Sequence, residues 1–260
     1  GSSKNSFEKD SIMKNTTHPE HRHVFIDYMR GFMFLLMAVD HSLHAYADKL
    51  GQYWFFYDLS RHWIFDAAYL HNNSVIIPAL FFTVGWGVIP AIQRYGAWPF
   101  LKNRILKYAI PFMVCVPTVV ALLTFPRYKF LTDPGIDFIT YWSDIFFDTK
   151  LQAGPLWVVF AFLVYTTLTA FVYKGAPGLF SSFQGWMKCS FKRPITAVVV
   201  ITALSAIILG VTDLYWGAPF WTSLWKLFGF QGSRVFQQAF FFGLGVLMGS
   251  LDFETQVRPF

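Results

Sequence analysis

The sequence predicts an all-α, polytopic transmembrane helical bundle of six spans, or seven if one aromatic segment also crosses. Three observations carry this. Charged residues make up only 14% of the chain, against about 25% in a soluble domain, which leaves too little polar surface to hold it in water. Aromatic residues reach 20%, with 31 Phe, 10 Trp and 12 Tyr, the residue types that fill lipid-facing surfaces and interfacial belts. Apolar runs of about 17–25 residues, enough to cross ~30 Å of hydrocarbon, recur along the whole chain.

Residues 1–23 are polar and mixed in charge with no apolar period, which predicts a flexible cytoplasmic tail. The first apolar run that follows is too long for a signal h-region, so no cleavable leader is expected. That run, Val24 to Tyr46, is the first span and is interrupted by Asp27, Arg30, Asp40, His41, Ser42 and His44. In residues 47–71, Asp58, Arg61, His62 and Asp66 recur at helical spacing among Trp54, Phe55, Leu59, Trp63 and Ile64. The pattern predicts an amphipathic helix lying at the interface. The second span runs from Asn73 to Ile92 and contains Pro78, Gly85, Gly87 and Pro90, which membrane helices tolerate when neighbours re-satisfy the backbone. Further spans are expected at Ile105–Phe125, Pro155–Tyr173, Ile195–Val211 and Val235–Leu251, with Tyr215–Phe230 as an aromatic interfacial or re-entrant piece.

Lysines and arginines orient the bundle. The Arg94–Lys107 and Lys174–Arg193 loops each carry four basic residues and no acid, whereas Pro126–Lys150 holds Asp133, Asp137, Asp144 and Asp148. Six spans with a cytoplasmic N-terminus place both basic loops inside and the acidic loop outside. The expected location is therefore a membrane crossed several times, with the N-terminus in the cytoplasm. The net charge of +6 then reads as a topology signal, and no nucleic-acid partner is implied. Cys115 and Cys189 are expected at different depths, so no disulfide framework follows. The histidines show no ligand spacing with the cysteines, so no metal site is expected.

Ionisable groups inside a membrane helix are costly and are read first as functional. Arg30 and His41 are eleven positions apart, close to three full helical turns and a rise of about 16 Å. They share one face at different depths: a fixed cation near one end and a titratable base near the other. Histidine is suited to take a proton from a hydroxyl near neutral pH. The structural alternatives are a snorkelling Arg30 that anchors the helix end and a His41 that only hydrogen-bonds a neighbouring helix. Asp40 points about 100° away from His41, which leaves a place at the water boundary or a basic partner on another helix. Asp27 and Arg30 are spaced for a local pair, and His44 for a solvated helix end. Lys102, Arg104 and Lys107 could bind an anionic cofactor on the same side as Arg30, or simply anchor the helix. Trp157, after Gly154-Pro155-Leu156, suits an interfacial anchor, and Gly85-Trp86-Gly87 permits close backbone approach.

Taken together, these residues resemble the acyltransferase-3 family of membrane acyltransferases. The resemblance rests on Phe25-Ile26-Asp27-Tyr28-Met29-Arg30-Gly31 with the Arg-x10-His spacing to His41. It is joined by Phe81-Phe82-Thr83-Val84-Gly85, by the basic run Phe100 to Lys107, and by Leu156-Trp157-Val158-Val159. Lys107 stands where the family pattern has its second arginine, and Val158-Val159 where it has Phe-Leu. The resemblance implies transfer of an acyl group, usually acetyl, from a cytoplasmic acyl-CoA to a hydroxyl of a carbohydrate or glycan, with the glucan-succinylating branch close by. It implies His41 as general base, Arg30 as the group that binds or polarises the donor, and Arg104 with Lys107 at its phosphates. Family members usually have more spans, so the domain from residue 24 to 260 is expected to be incomplete at its C-terminal end. A homo-oligomer or a polysaccharide-assembly partner is left open. Two other readings fit the same intramembrane Arg, His and Asp: a secondary transporter or flippase for an anionic or sugar-linked substrate, and a structural subunit of such an assembly.

Overall fold

The computed structural model describes residues 24–49, 55–56, 58–147, 153–217, 221–224 and 228–251. The expected tail at 1–23, Trp54 and Asp148 lie outside them. Helix α1 spans Val24–Leu43 and ends in a short 3₁₀ turn, His44–Tyr46. Helix α2 (Trp63–Trp86) continues after Gly87 as α3 (Val88–Tyr95). Ala97–Leu131 is one helical path in three pieces, α4 (Ala97–Arg104), α5 (Ile110–Cys115) and α6 (Ala121–Leu131), joined by π turns at Ile105–Ala109 and Val116–Val120. Each π turn lies at a proline, Pro111 or Pro117. Proline cannot donate to the preceding turn, and the wider turn accommodates the loss. A short turn, α7 (Phe138–Thr140), then leads through α8 (Trp157–Gly175), α9 (Pro177–Phe191) and α10 (Pro194–Trp216). Strands β1 (Trp221–Leu224) and β2 (Phe228–Gln231) form an antiparallel hairpin before α11 (Val235–Gly249).

The all-α class holds, with this one hairpin added. It lies in the stretch read as an interfacial or re-entrant piece, where the density of β-favouring aromatics competes with helix formation. The Lys174–Arg193 loop is instead mostly helix α9, bracketed by Pro177 at its start and Pro194 beyond its end. The interfacial helix expected at 47–71 begins only at Trp63 and is continuous with the second span. Ahead of it His62 caps the helix by accepting from the Ile64 N–H at 3.3 Å, and Asp66 accepts from the Asp48 and Lys49 N–H groups.

Among the described residues, four helical paths are long and apolar enough to cross a membrane: Trp63–Tyr95, Ala97–Leu131, Gly154–Gly175 and Pro194–Trp216. The expected count of six also needs α1 and α11. Helix α1 has 20 residues but carries Asp27, Arg30 and Asp40, and α11 has only 15. The apolar face of α10 is left outside the protein core: Ile195 and Leu214 are 81% and 89% exposed. A face of this kind suits hydrocarbon rather than water.

The core gathers around Phe81, which packs edge-on against Phe162 and Tyr165 and stacks with Trp157. Trp157 is only 8% exposed, so it is a core side chain and not an interfacial anchor. The tightest helix contact is between α2 and α11. A Cβ on Gly85 would meet the Phe242 carbonyl, one on Gly245 the Phe82 carbonyl, and one on Gly249 the Trp86 carbonyl. Gly245-x3-Gly249 is the small-residue spacing that lets membrane helices meet backbone to backbone. This contact fixes the height of Arg30's neighbours at one end of α2 and of Tyr69 at the other.

Candidate active site

Helix α1 carries polar side chains at both ends, and α2 meets each end. At the N-terminal end, Arg30 pairs with Asp27 at 3.4 Å, as the three-residue spacing predicts. Its other terminal nitrogen, Nη2, donates to the carbonyl of Thr83. That carbonyl is available because the helix breaks here. The N–H of Gly87, which would take the Thr83 oxygen in a regular α-helix, bonds Val84 O and Gly85 O instead. The guanidinium thus closes a gap in the α2 ladder, and the Gly87 Cβ position lies only 3.1 Å from Arg30 Nη2. A side chain at 87 would crowd this contact.

Arg104, the last residue of α4, and Tyr108 lie within electrostatic range of Arg30. Arg104 donates to the Tyr108 hydroxyl at 3.2 Å and lies over the rings of Phe100 and Tyr108 at 4.9 and 5.6 Å. The Nε of Arg30 and the Nε of Arg104 are both buried without a hydrogen-bond partner among the described residues. Lys102 and Lys107 are exposed. Lys107 sits inside the first π turn, where residues three apart no longer align as they do on an α-helix.

At the other end of α1, His41 is half-buried and its Nδ1 donates to the Met37 carbonyl at 2.7 Å. A carbonyl can only accept, so the neutral imidazole carries its lone pair on Nε2, the form a general base requires. His44 repeats this bond to the Asp40 carbonyl at 2.6 Å, and its ring lies 5.5 Å from that of His41. Asp40 and His44 are both buried, 3.6 Å apart through Oδ2 and Nδ1. Neither sits at the water boundary that the sequence favoured. Burial is sustained from α2: Asn72 donates to Asp40 Oδ1 at 3.1 Å, and Tyr69 sets its ring edge-on to His44 at 4.4 Å. Asn73 in turn donates to the Tyr69 hydroxyl at 3.1 Å.

The structure therefore joins His41 with His44, leaves Arg104 within electrostatic range of Arg30, and keeps these two groups apart along α1. Tyr69, Asn72 and Tyr108 were missed by the sequence reading. Asn72-Asn73 at the head of an apolar span was a usable signal, because unpaired amides are costly in a membrane interior.

Residues 23–259 match the family model of an acyltransferase domain. The chain belongs to the acyltransferase-3 family. Comparison with curated proteins and with solved structures returned no match. Family and apolar helices together make this acyltransferase-3 chain a membrane acyltransferase. The motifs that carried the resemblance separate in the fold. Arg30, His41 and Arg104 belong to the polar groups at the two ends of α1, whereas Phe81, Gly85 and Trp157 build the packing between them.

Proposed function

We propose that the protein is an inner-membrane O-acyltransferase that moves an acyl group, acetyl in the simplest case, from cytoplasmic acyl-CoA to a hydroxyl of a carbohydrate or glycan. The observation that carries this is a pair of arginines with open, buried N–H groups. Arg30 and Arg104 come from different helices, and the Nε of each is buried with no hydrogen-bond partner among the described residues. Such an arrangement suits a polyanion such as the phosphates of coenzyme A. With its N-terminus in the cytoplasm, α1 presents this group to the donor and His41 to the opposite side. Exposed Lys107 supplies further positive charge at the mouth of the donor site.

Arg30 and His41 are separated by about 16 Å along the helix. That separation favours Arg30 as a donor-binding group over one that polarises the carbonyl under attack. The extended pantetheine arm then carries the thioester towards His41. His41 Nε2 takes the proton of the acceptor hydroxyl. The oxygen attacks the thioester carbonyl, the new C–O bond forms, and the C–S bond breaks. The CoA thiolate leaves and receives the proton from His41. Asp40 and His44 hold the far end of α1 in place through Asn72 and Tyr69.

Titration of the purified protein with acetyl-CoA tests the donor site. Saturable binding is expected, weakened in both Arg30→Ala and Arg104→Gln. His41→Ala is expected to keep that binding and to lose thiol release in the presence of a glycan acceptor. Absence of acetyl-CoA binding, or transfer at the wild-type rate in His41→Ala, would refute the reading. The transporter reading predicts no acyl-CoA binding at all.

A further inference from the structure

Arg234 is a buried cation that the proposed chemistry leaves unused. It lies between β2 and the start of α11 and is only 9% exposed. Its Nε and Nη1 are buried with no hydrogen-bond partner among the described residues, and it forms no ion pair there. Asp213 also has a buried oxygen without a partner, yet the structure pairs the two no more than it pairs Arg234 with Asp40. A guanidinium out of water with open N–H groups is unfavourable unless an anion joins it.

The surroundings hold this group in place. Thr212 donates to the Ser233 carbonyl at 2.6 Å, and Tyr165 donates to the Val235 carbonyl at 2.8 Å. The backbone on both sides of Arg234 is thereby tied to α10 and α8. Gln231, Ser233, Gln237 and Gln238 are buried around it. Arg234 is also the residue that opens α11, and its side chain makes no capping bond. The dipole of that 15-residue helix adds to the positive field at its start.

Helices α2 and α11 run parallel, with Gly245 against Phe82 and Gly249 against Trp86, so Arg234 at the head of α11 stands level with the Tyr69–Asn72 end of α2, which touches His44 and Asp40. It therefore belongs to the His41 end of the bundle. Tyr69 and Thr83 are fourteen residues apart on α2, a rise of about 21 Å, so the group at Arg234 cannot be the same one that Arg30 and Arg104 hold. We propose that Arg234 binds an oxyanion, carboxylate or phosphoryl, carried by the acceptor, so that the acceptor is an acidic glycan or sugar phosphate. This rests on the acyl-transfer reading above for the word acceptor. The anion site itself rests on Arg234 alone.

The test uses the full chain in detergent, titrated with glucuronate, glucose 6-phosphate and glucose. The acidic sugars are expected to bind at least tenfold more tightly than glucose. Arg234→Gln should bring them down to the level of glucose, and Arg234→Lys should keep part of the preference. Acetyl-CoA binding, unchanged in both variants, reports that they are folded. Equal affinity for charged and neutral sugars, or an intact preference in Arg234→Gln, would overturn the proposal. So would acidic-sugar binding that persists in phosphatidylcholine nanodiscs but disappears in phosphatidylglycerol ones, since an anionic lipid headgroup would then be the occupant. Acidic-sugar binding without acetyl-CoA binding would sink the acyl-transfer reading and leave the oxyanion site standing.

Discussion

Adding a single methyl group at Gly245 should loosen the bundle, while the same change two residues earlier should not. A Cβ at Gly245 runs into the Phe82 carbonyl and the Trp86 N–H. Both belong to the α2 backbone, so no side chain can rotate away and the helices must part. Overpacking of a tight interface typically costs about 1–3 kcal/mol. The upper end applies here, because parting α2 from α11 also opens the contacts at Gly85 and Gly249. Gly243 has nothing within 4 Å of its Cβ position, and replacing glycine by alanine in a helix interior gains up to about 1 kcal/mol. Gly245→Ala should therefore lower the stability of the detergent-solubilised protein by about 3 kcal/mol, and Gly243→Ala should leave it unchanged or raised. Thermal or SDS unfolding monitored by tryptophan fluorescence measures both. Equal effects of the two substitutions, or a stable Gly245→Ala, would refute the backbone-to-backbone account of this interface.

Arg30→Leu should lower stability as well as donor affinity, because it strips the Thr83 carbonyl of its partner; a buried orphan acceptor costs about 1–3 kcal/mol. Unchanged stability in an unfolding titration would mean that the break at Gly87 is satisfied in another way. Asn72→Leu should cost about 0.6–1.7 kcal/mol, the range for interhelical side-chain hydrogen bonds in membranes, and should slow transfer through misplaced α1 without abolishing acetyl-CoA binding. Loss of that binding would instead link the two ends of α1. Asp137 caps the turn at Phe138 by accepting from the Ile139 and Thr140 N–H groups and the Thr140 hydroxyl. These bonds, those from Thr140 first, hold its carboxyl below the ordinary value of 3.8. Its contribution is complete above that ordinary value and is lost as pH falls through the lower folded one. The stability difference between wild type and Asp137→Ala, followed by unfolding at successive pH values, should shrink only on the acid side; a difference that vanishes on the alkaline side would contradict the cap.

Much of the candidate site was legible because a membrane makes charge conspicuous. Arg30 and His41 stand out in an apolar run, their spacing fixes a shared helix face, and Asp27 falls at the distance for a local pair. Arg104 could be singled out as a basic residue, but not as the one whose Nε is buried and open. That burial depends on how α4 packs, and a π turn leaves Lys107 exposed. Asp40 and His44 were placed near water because they lie at the end of the first apolar run. Their burial is decided by Asn72 and Tyr69, which arrive from α2.

By itself the sequence determined the helical membrane class, the positions of the long apolar helices, the family and the two ionisable ends of α1. These follow from local quantities: run length, charge density, helical period and motif order. The tertiary structure decided the rest. The break at Gly87 could be read as glycine but not as a carbonyl awaiting Arg30. Gly245 and Gly249 could be read as small residues but not as the seat of α2. The stretch read as an interfacial or re-entrant piece folds as a hairpin because its strands pair with each other, a pairing that no local propensity could state. Arg234 resembled any basic residue at a helix start. Only the packing of α8, α10 and α11 around it turned an ordinary surface charge into a buried cation with open N–H groups, since burial is a property of neighbours brought from distant parts of the chain.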